Sequence, residues 1–127
     1  MAVGCQTPTA FQKPDARWQT HTGQLQYLSG DTSVIGDVVV RTFGSSEFQL
    51  DFQSGPGFPL MQLRQSGDRA RAEGILARGR WKGMSSRAPQ QLRGWVKLRE
   101  EFSRTVSPRR LTITPAEGER FTFVLAR

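Results

Sequence analysis

The feature that most constrains the fold of this chain is a short-range alternation of apolar and polar residues, interrupted by turns. The alternation is clearest in Phe48–Gln53, where Phe48, Leu50 and Phe52 are separated by polar residues. Such period-two patterns are typical of strands that bury one face and expose the other. Including this segment, about seven antiparallel strands are predicted, the others at Trp18–Leu28, Val34–Phe43, Leu60–Gln65, Arg69–Ile75, Leu111–Thr114 and Phe121–Leu125.

One amphipathic helix is predicted at about residues 88–105. Pro89 suits the first helical position, and Leu92, Trp95 and Phe102 share one apolar arc at about 100° per residue. Arg99 lies inside this arc, so its guanidinium is expected either to reach an edge of the helix or to meet a buried anionic headgroup. The predicted fold class is mainly β (α+β). It is a strongly curved antiparallel sheet or unclosed β-barrel, with the helix across its concave face.

The strand at Arg69–Ile75 carries only small residues on its predicted inner side. Ala70 and Ala72 leave volume there that the helix, bulky neighbours or a ligand must fill. The apolar residues expected to form the core or a cavity between sheet and helix are Phe48, Leu50, Phe52, Leu60, Leu63, Leu92, Trp95 and Phe102.

Positive charge is the main surface feature of the sequence. Eighteen Lys and Arg residues face eleven Asp and Glu, a net charge of +7, which attracts polyanions. The predicted basic docking face comprises Arg69, Arg71, Arg78 and Arg80, although an ordinary solvated surface explains these arginines equally well. β-type nucleic-acid binders usually interleave aromatic rings with such a face, and alternation places Trp81 on the opposite side. The expected partner is therefore an anionic membrane surface or an acidic protein, with no specific nucleic acid.

Several functional classes are excluded by the motifs that the sequence lacks. One cysteine and one histidine leave no internal disulfide and no CxxC-type metal or redox site. Neither a GxxxxGK[ST] phosphate loop nor a GxSxG nucleophile motif occurs. No apolar run approaches the ~20 residues of a transmembrane helix. We predict a non-enzyme without cofactor, metal or transmembrane segment, in which His21 is an ordinary strand histidine.

The first residues have the form of a bacterial lipobox. In Ala2-Val3-Gly4-Cys5, small residues precede a cysteine that would become the lipidated N-terminus. Residues 1–16 are then predicted to be a tether and residues 17–127 the folded domain. Lipid attachment at Cys5 requires an upstream signal peptide, because only four residues precede the cysteine. The alternative is an incidental free thiol.

The order of the segments resembles that of a known family. The segments are the RW pair at 17–18, GDVVVR (36–41), FQLDF (48–52), GPGFPLMQLRQ (55–65), RAPQQLRGW (87–95), KLREEF (97–102), PRRLTITP (108–115) and RFTFVLAR (120–127). Over roughly residues 18–125 this order is similar to that of the bacterial lipoprotein-localisation (Lol) carrier and receptor family, although the chain is short by about two strands and a helix relative to full-length members. No single motif among them is diagnostic.

The resemblance implies an unclosed barrel, capped by helices, whose apolar cavity accepts acyl chains or a lipoprotein. It also implies a location at the periplasmic face of the outer membrane, through a lipid anchor. Gly57-Phe58-Pro59-Leu60 is the nearest counterpart of the receptor's apolar insertion loop, and it is equally compatible with a plain turn.

Three hypotheses about function follow from the sequence. The first is a lipoprotein domain that binds acyl chains or another apolar ligand between sheet and helix. The second is a structural or interaction lipoprotein with a filled core that docks an acidic partner through the arginine face. The third is a cytoplasmic nucleic-acid-binding β-domain, which the charge alone favours. Only the first two require a signal peptide upstream.

Overall fold

The computed structural model describes residues 11, 14–105 and 109–126. They form one antiparallel sheet of eight strands, not closed into a barrel, and a single helix of 15 residues. The strands are β1 Gln19–Ser29, β2 Thr32–Phe43, β3 Glu47–Gln53, β4 Pro59–Ser66, β5 Arg69–Gly74, β6 Gly79–Met84, β7 Arg110–Ala116 and β8 Glu119–Ala126. The helix has two segments, α1 Gln90–Val96 and α2 Leu98–Arg104. The predicted mainly β class, with an unclosed antiparallel sheet and one helix, is confirmed. Cys5 lies outside the described residues.

Strand order in the sheet is β6-β5-β4-β3-β2-β1-β8-β7. Neighbouring strands are therefore consecutive in sequence, except for β1 and β8, which pair from Thr22–Ala126 to Ser29–Glu119. Tight turns connect the first strands, and Gly30 and Gly67 occupy left-handed positions there, with φ of 57° and 59°. Glycine suits these positions because it has no Cβ to clash in that conformation.

The position of α1 shows that the sheet is strongly curved. In a flat sheet, the edge strands β6 and β7 would lie about 33 Å apart, seven strand spacings. Yet α1, only about 10 Å long, contacts both β7 and the 3₁₀ turn Ile75–Ala77 that connects β5 to β6. Both ends of the strand order therefore approach the same short helix, and the sheet wraps around it.

Alternation along the strands gives the sheet two different faces. The inner face, which the helix covers, carries one continuous cluster of buried apolar residues. Trp95 of the helix lies near its centre, with ring centroids 4.8 Å from those of Tyr27 and Phe121. The outer face carries polar and charged side chains, among them Gln49 and Asp51 of β3.

The eighth strand, β6, is the main departure from the predicted elements. Gly79–Met84 contains two glycines and two basic residues, so it shows no apolar alternation that marks a strand. It is a strand because it pairs with β5 in register, with Trp81 opposite Ala72. Ile75, predicted at the end of β5, belongs to the 3₁₀ turn instead.

Candidate functional site

The strand register brings four cations into one line across the outer face. Arg41 of β2 is opposite Gln49 of β3, Gln49 is opposite Arg64 of β4, and this series continues through Arg71 of β5 to Lys82 of β6. We call Arg41, Arg64, Arg71 and Lys82 the cation row. Its last three members lie on successive strands, about 4.8 Å apart. Like charges directly opposite each other on paired strands are destabilising, so the row lowers the stability of the isolated protein.

The electrostatics of Arg64 reflect this crowding. The pKa of Arg64 is lowered, first by partial burial of its guanidinium and then by the positive charge of Arg71. The carboxylates of Asp51 and Glu47 act in the opposite direction but do not cancel the effect. An anion placed between Arg64 and Arg71 would relieve the repulsion between them.

Two carboxylates flank the cation row, and each has its own partner. Asp51 lies 3.5 Å from the Arg41 guanidinium, and Glu73 lies 3.8 Å from that of Arg80. Among the described residues, Arg71 and Lys82 have no ion pair within 4.0 Å. The uncompensated charge is therefore concentrated on β5 and β6, at one end of the row.

An open groove of about 630 Å³ lies over the same strands. Besides charged residues of the cation row and the two ion pairs, its lining includes the amide side chains of Gln49 and Gln62. Guanidinium groups bind phosphate or carboxylate oxygens through two parallel N–H donors. The groove can therefore bind a small anionic group by charge and hydrogen bonds, and Ala72 and Trp81 also contribute to its lining.

The predicted docking arginines occupy two different places. Arg69, Arg71 and Arg80 lie on the outer face, opposite the small residues of β5. Arg78 lies instead in the turn after the 3₁₀ segment, exposed, with a left-handed φ of 59°. Sequence reasoning missed Arg41, Arg64 and Lys82 as members of the face, because only the cross-strand register brings them together.

The inner face is filled with protein side chains. All eight apolar residues predicted there are buried, and none is more than 6% exposed. The Trp95 ring lies 6.3 Å from Phe52, and the Phe102 ring lies 5.7 Å from Phe48, measured between centroids. Trp81, partly buried, packs against this cluster beside Ala72. The volume that small residues leave on β5 is thus occupied by neighbouring side chains and the helix.

Two polar side chains fasten the helix to one end of the sheet. Arg99 Nη1 donates hydrogen bonds of 2.7 Å to the carbonyl oxygens of both Ser46 and Gly67, which lie in two neighbouring turns. Gln65, only 2% exposed, donates from Nε2 to the carbonyl oxygen of Val96 at 3.2 Å. Partial burial lowers the pKa of Arg99. The guanidinium predicted to reach the helix edge or a buried headgroup thus ends at the edge, on backbone carbonyls.

Gly94 allows the β7–β8 hairpin to approach the helix closely. A Cβ on Gly94 would lie 2.2 Å from Oε1 of Glu119. The other oxygen of that carboxylate accepts a hydrogen bond of 2.9 Å from the Tyr27 hydroxyl. Burial is the main reason that the pKa of Tyr27 is raised. This glycine, unfavourable for a helix by sequence, therefore makes room for a carboxylate.

Within the described part of the chain, no three His, Cys, Asp or Glu side chains cluster as metal ligands. The helix segments found there are too short and too polar to cross a bilayer. In comparisons with known proteins, no family model and no curated protein matches the chain.

Proposed function

We propose that this chain is a non-catalytic docking domain that binds an anionic membrane surface through its outer face. The observation that carries the proposal is the cation row, in which charges on adjacent strands repel each other in the free protein. The filled inner face fits the second hypothesis from the sequence, in which the core is a scaffold and the arginine face binds the partner.

The arrangement favours phosphate headgroups over a long nucleic acid. Asp51 and Glu73 flank the row, so its positive charge does not continue along the strands as a track for a polyanion. Trp81 packs against the core cluster as well as lining the groove, so it does not form an exposed platform on which successive bases could stack. Each basic residue near an anionic bilayer contributes about 1 kcal/mol of binding. Arg64, Arg71 and Lys82 together would raise the affinity roughly a hundredfold over that for a neutral bilayer.

Vesicle binding tests the proposal directly. The double variant Arg71→Gln/Lys82→Gln removes two charges of the row, while Arg93→Gln/Lys97→Gln removes two exposed charges of the helix and serves as the control. In ~150 mM salt, with vesicles of ~30% phosphatidylglycerol in phosphatidylcholine, we expect the first variant to lose at least about tenfold in affinity. The control should lose less than about threefold.

Equal losses in the two variants would show that only net charge matters and would contradict a specific docking face. Titration with duplex DNA and single-stranded RNA under the same conditions provides a second arm. Sub-micromolar, sequence-selective binding there would overturn the proposal and favour the cytoplasmic nucleic-acid alternative.

The proposal includes a lipid anchor at Cys5 and a location at the periplasmic face of the outer membrane. Its support is the lipobox-like Ala2-Val3-Gly4-Cys5 in the sequence. A lipobox cysteine carries two acyl chains on its sulfur, and two acyl chains suffice for stable membrane association. With the native upstream sequence, the protein should incorporate labelled palmitate and Cys5→Ser should not. Equal labelling of both proteins would contradict the anchor.

Acyl-chain binding between sheet and helix is the second candidate. It is favoured by the way the helix is held, since Arg99 and Gln65 fasten it at one end while the sheet itself is not closed. Because the inner face is filled, an acyl chain could enter only after the helix moved. A fluorescent fatty acid should then bind Arg99→Ala more tightly than the wild type. If neither protein binds the probe, acyl-chain binding is rejected and docking through the outer face remains the only proposed function.

A further inference from the structure

The residues that lead into β1 lie against the outer face. Trp18 is 6% exposed, and its ring stacks on Phe43 with centroids 6.0 Å apart. By alternation Phe43 shares the outer face with Arg41. The Arg17 guanidinium lies over the same Phe43 ring at 5.0 Å. Trp18 therefore packs on the outer side of the sheet, while Arg17 lies at the end of the sheet where a second pocket also reaches Arg99 and Phe102 of α2.

Further toward the N-terminus, Phe11 lies over the middle of the cation row. Its ring centroid is 5.0 Å from the guanidinium carbon of Arg71 and 5.8 Å from that of Arg64. One aromatic ring thus contacts two like-charged side chains on neighbouring strands. Ring faces attract cations, and a guanidinium stacked on a ring can still donate from its edges to a phosphate. Phe11 therefore holds the two arginines together without consuming their donors.

The length and composition of the preceding chain point to the same surface. Cys5 is six residues before Phe11, and six residues span at most about 20 Å even when extended. Residues 1–10 contain no Asp, Glu, Lys or Arg, so their side chains do not compete with a membrane for the cation row. If the chain is attached to a bilayer at Cys5, Phe11 and the cation row beneath it would therefore lie within about 20 Å of the attachment point.

We propose that the N-terminal segment sets the orientation of the anchored domain, so that the cation row faces a bilayer of anionic phospholipids. This inference rests on the proposed docking function and adds the direction in which the anchored molecule faces. Phe11 is a positioning residue in this arrangement. Its contacts with Arg64 and Arg71 hold this point of the chain on the outer face, and the helix then faces away from the membrane.

The single cysteine allows a direct test, because the whole chain can be coupled to vesicles at Cys5 alone. Vesicles contain a maleimide lipid and ~30% phosphatidylglycerol, and the coupled protein is treated with a water-soluble acetylating reagent. Lys82 in the cation row and Lys97 on the helix are both exposed, so they serve as reporter and internal control. Mass spectrometry then compares their acetylation rates with those of the uncoupled chain.

We expect coupling to slow acetylation of Lys82 at least about fivefold and that of Lys97 less than about twofold. Phe11→Ala should reduce the difference between the two lysines about two- to fivefold, as for an exposed cation–π contact, whereas Phe11→Tyr should preserve it. On vesicles of phosphatidylcholine and the maleimide lipid alone, the difference should also fall, because the attraction of anionic headgroups is absent.

Equal protection of both lysines on anionic vesicles, or stronger protection of Lys97, would overturn the inference. So would a difference that neither Phe11→Ala nor neutral lipid reduces. Failure of the orientation is distinguishable from failure of the docking function. In the first case, the uncoupled chain still loses vesicle affinity in Arg71→Gln/Lys82→Gln. In the second case, that variant and its control bind alike.

Discussion

The inner and outer faces of the sheet are built from the same strands but have opposite effects on the stability of the fold. On β3, Phe48 and Phe52 are almost fully buried against the helix, while Asp51 on the outer face is half-buried beside Arg41. The inner face lowers the free energy of the fold by burying apolar area. The outer face raises it by placing like charges on neighbouring strands. An anionic partner would relieve the repulsion between the like charges of the outer face, whereas the apolar contacts of the inner face are already made within the fold.

Substitution of Trp95 should give the largest effect on the inner face. Its side chain is completely buried among aromatic rings, so Trp95→Ala should lower the free energy of unfolding by about 3–5 kcal/mol. Urea denaturation measures the loss, and Lys97→Ala at an exposed helix position is the control. A loss below about 1 kcal/mol, together with weaker binding of an acyl probe, would show that the ring lines a ligand cavity.

Gly23→Ala should have the next largest effect, because the added methyl group would push β1 and β8 apart where they pair. A Cβ at Gly23 would lie 2.1 Å from the carbonyl oxygen of Val124 and 2.8 Å from the Cα of Leu125. Backbone atoms must then move, at a cost of about 1–3 kcal/mol. Thermal unfolding measures this cost, with Thr22→Ala, an exposed neighbour, as the control. Equal stability of the two variants would contradict the close approach of these strands.

Arg71→Gln should weaken membrane binding without markedly destabilising the fold. Removing one charge from the cation row relieves repulsion but also removes the contact with the Phe11 ring, so the unfolding free energy should change by less than about 0.5 kcal/mol in either direction. The affinity for anionic vesicles should fall in the same variant. Added salt should stabilise the wild type more than the variant, since it screens the repulsion. A clear loss of stability in Arg71→Gln would mean that the guanidinium contributes to the fold.

The smallest effect concerns His21, which is opposite Val40 on the inner side of β1. Burial lowers its pKa, so the folded state favours the neutral imidazole. The contribution of His21 to the free energy of unfolding should be fully present above the unfolded pKa of about 6.5. It should be lost as the pH falls from there toward the lowered folded pKa, and the loss should be small because the ring is only partly buried. His21→Gln should abolish this component in pH-dependent urea denaturation. An unchanged profile would assign the pH dependence to other groups.

The inner face was largely predictable from the sequence, whereas on the outer face alternation placed only Arg69, Arg71 and Arg80. Phe48, Leu50 and Phe52, like the apolar arc of the helix, carry a period that needs no knowledge of neighbours. The cation row depends on which residues of different strands lie opposite each other, and a single sequence does not contain that information. The contact of Phe11 with Arg71 is non-local in the same way.

The β1–β8 pairing has a consequence for how the chain reaches its native state. Every other pair of neighbouring strands is consecutive in sequence, so β1 to β6 form a meander of local contacts that closes at low entropic cost. The pairing of β1 with β8 must wait until the whole chain is available, and it is expected to be the late step of folding. During synthesis, β1 is then an unpaired edge with free backbone donors and acceptors. Such an edge is a template for association between nascent chains. The yield of correctly folded molecules should therefore fall as the concentration of newly made protein rises.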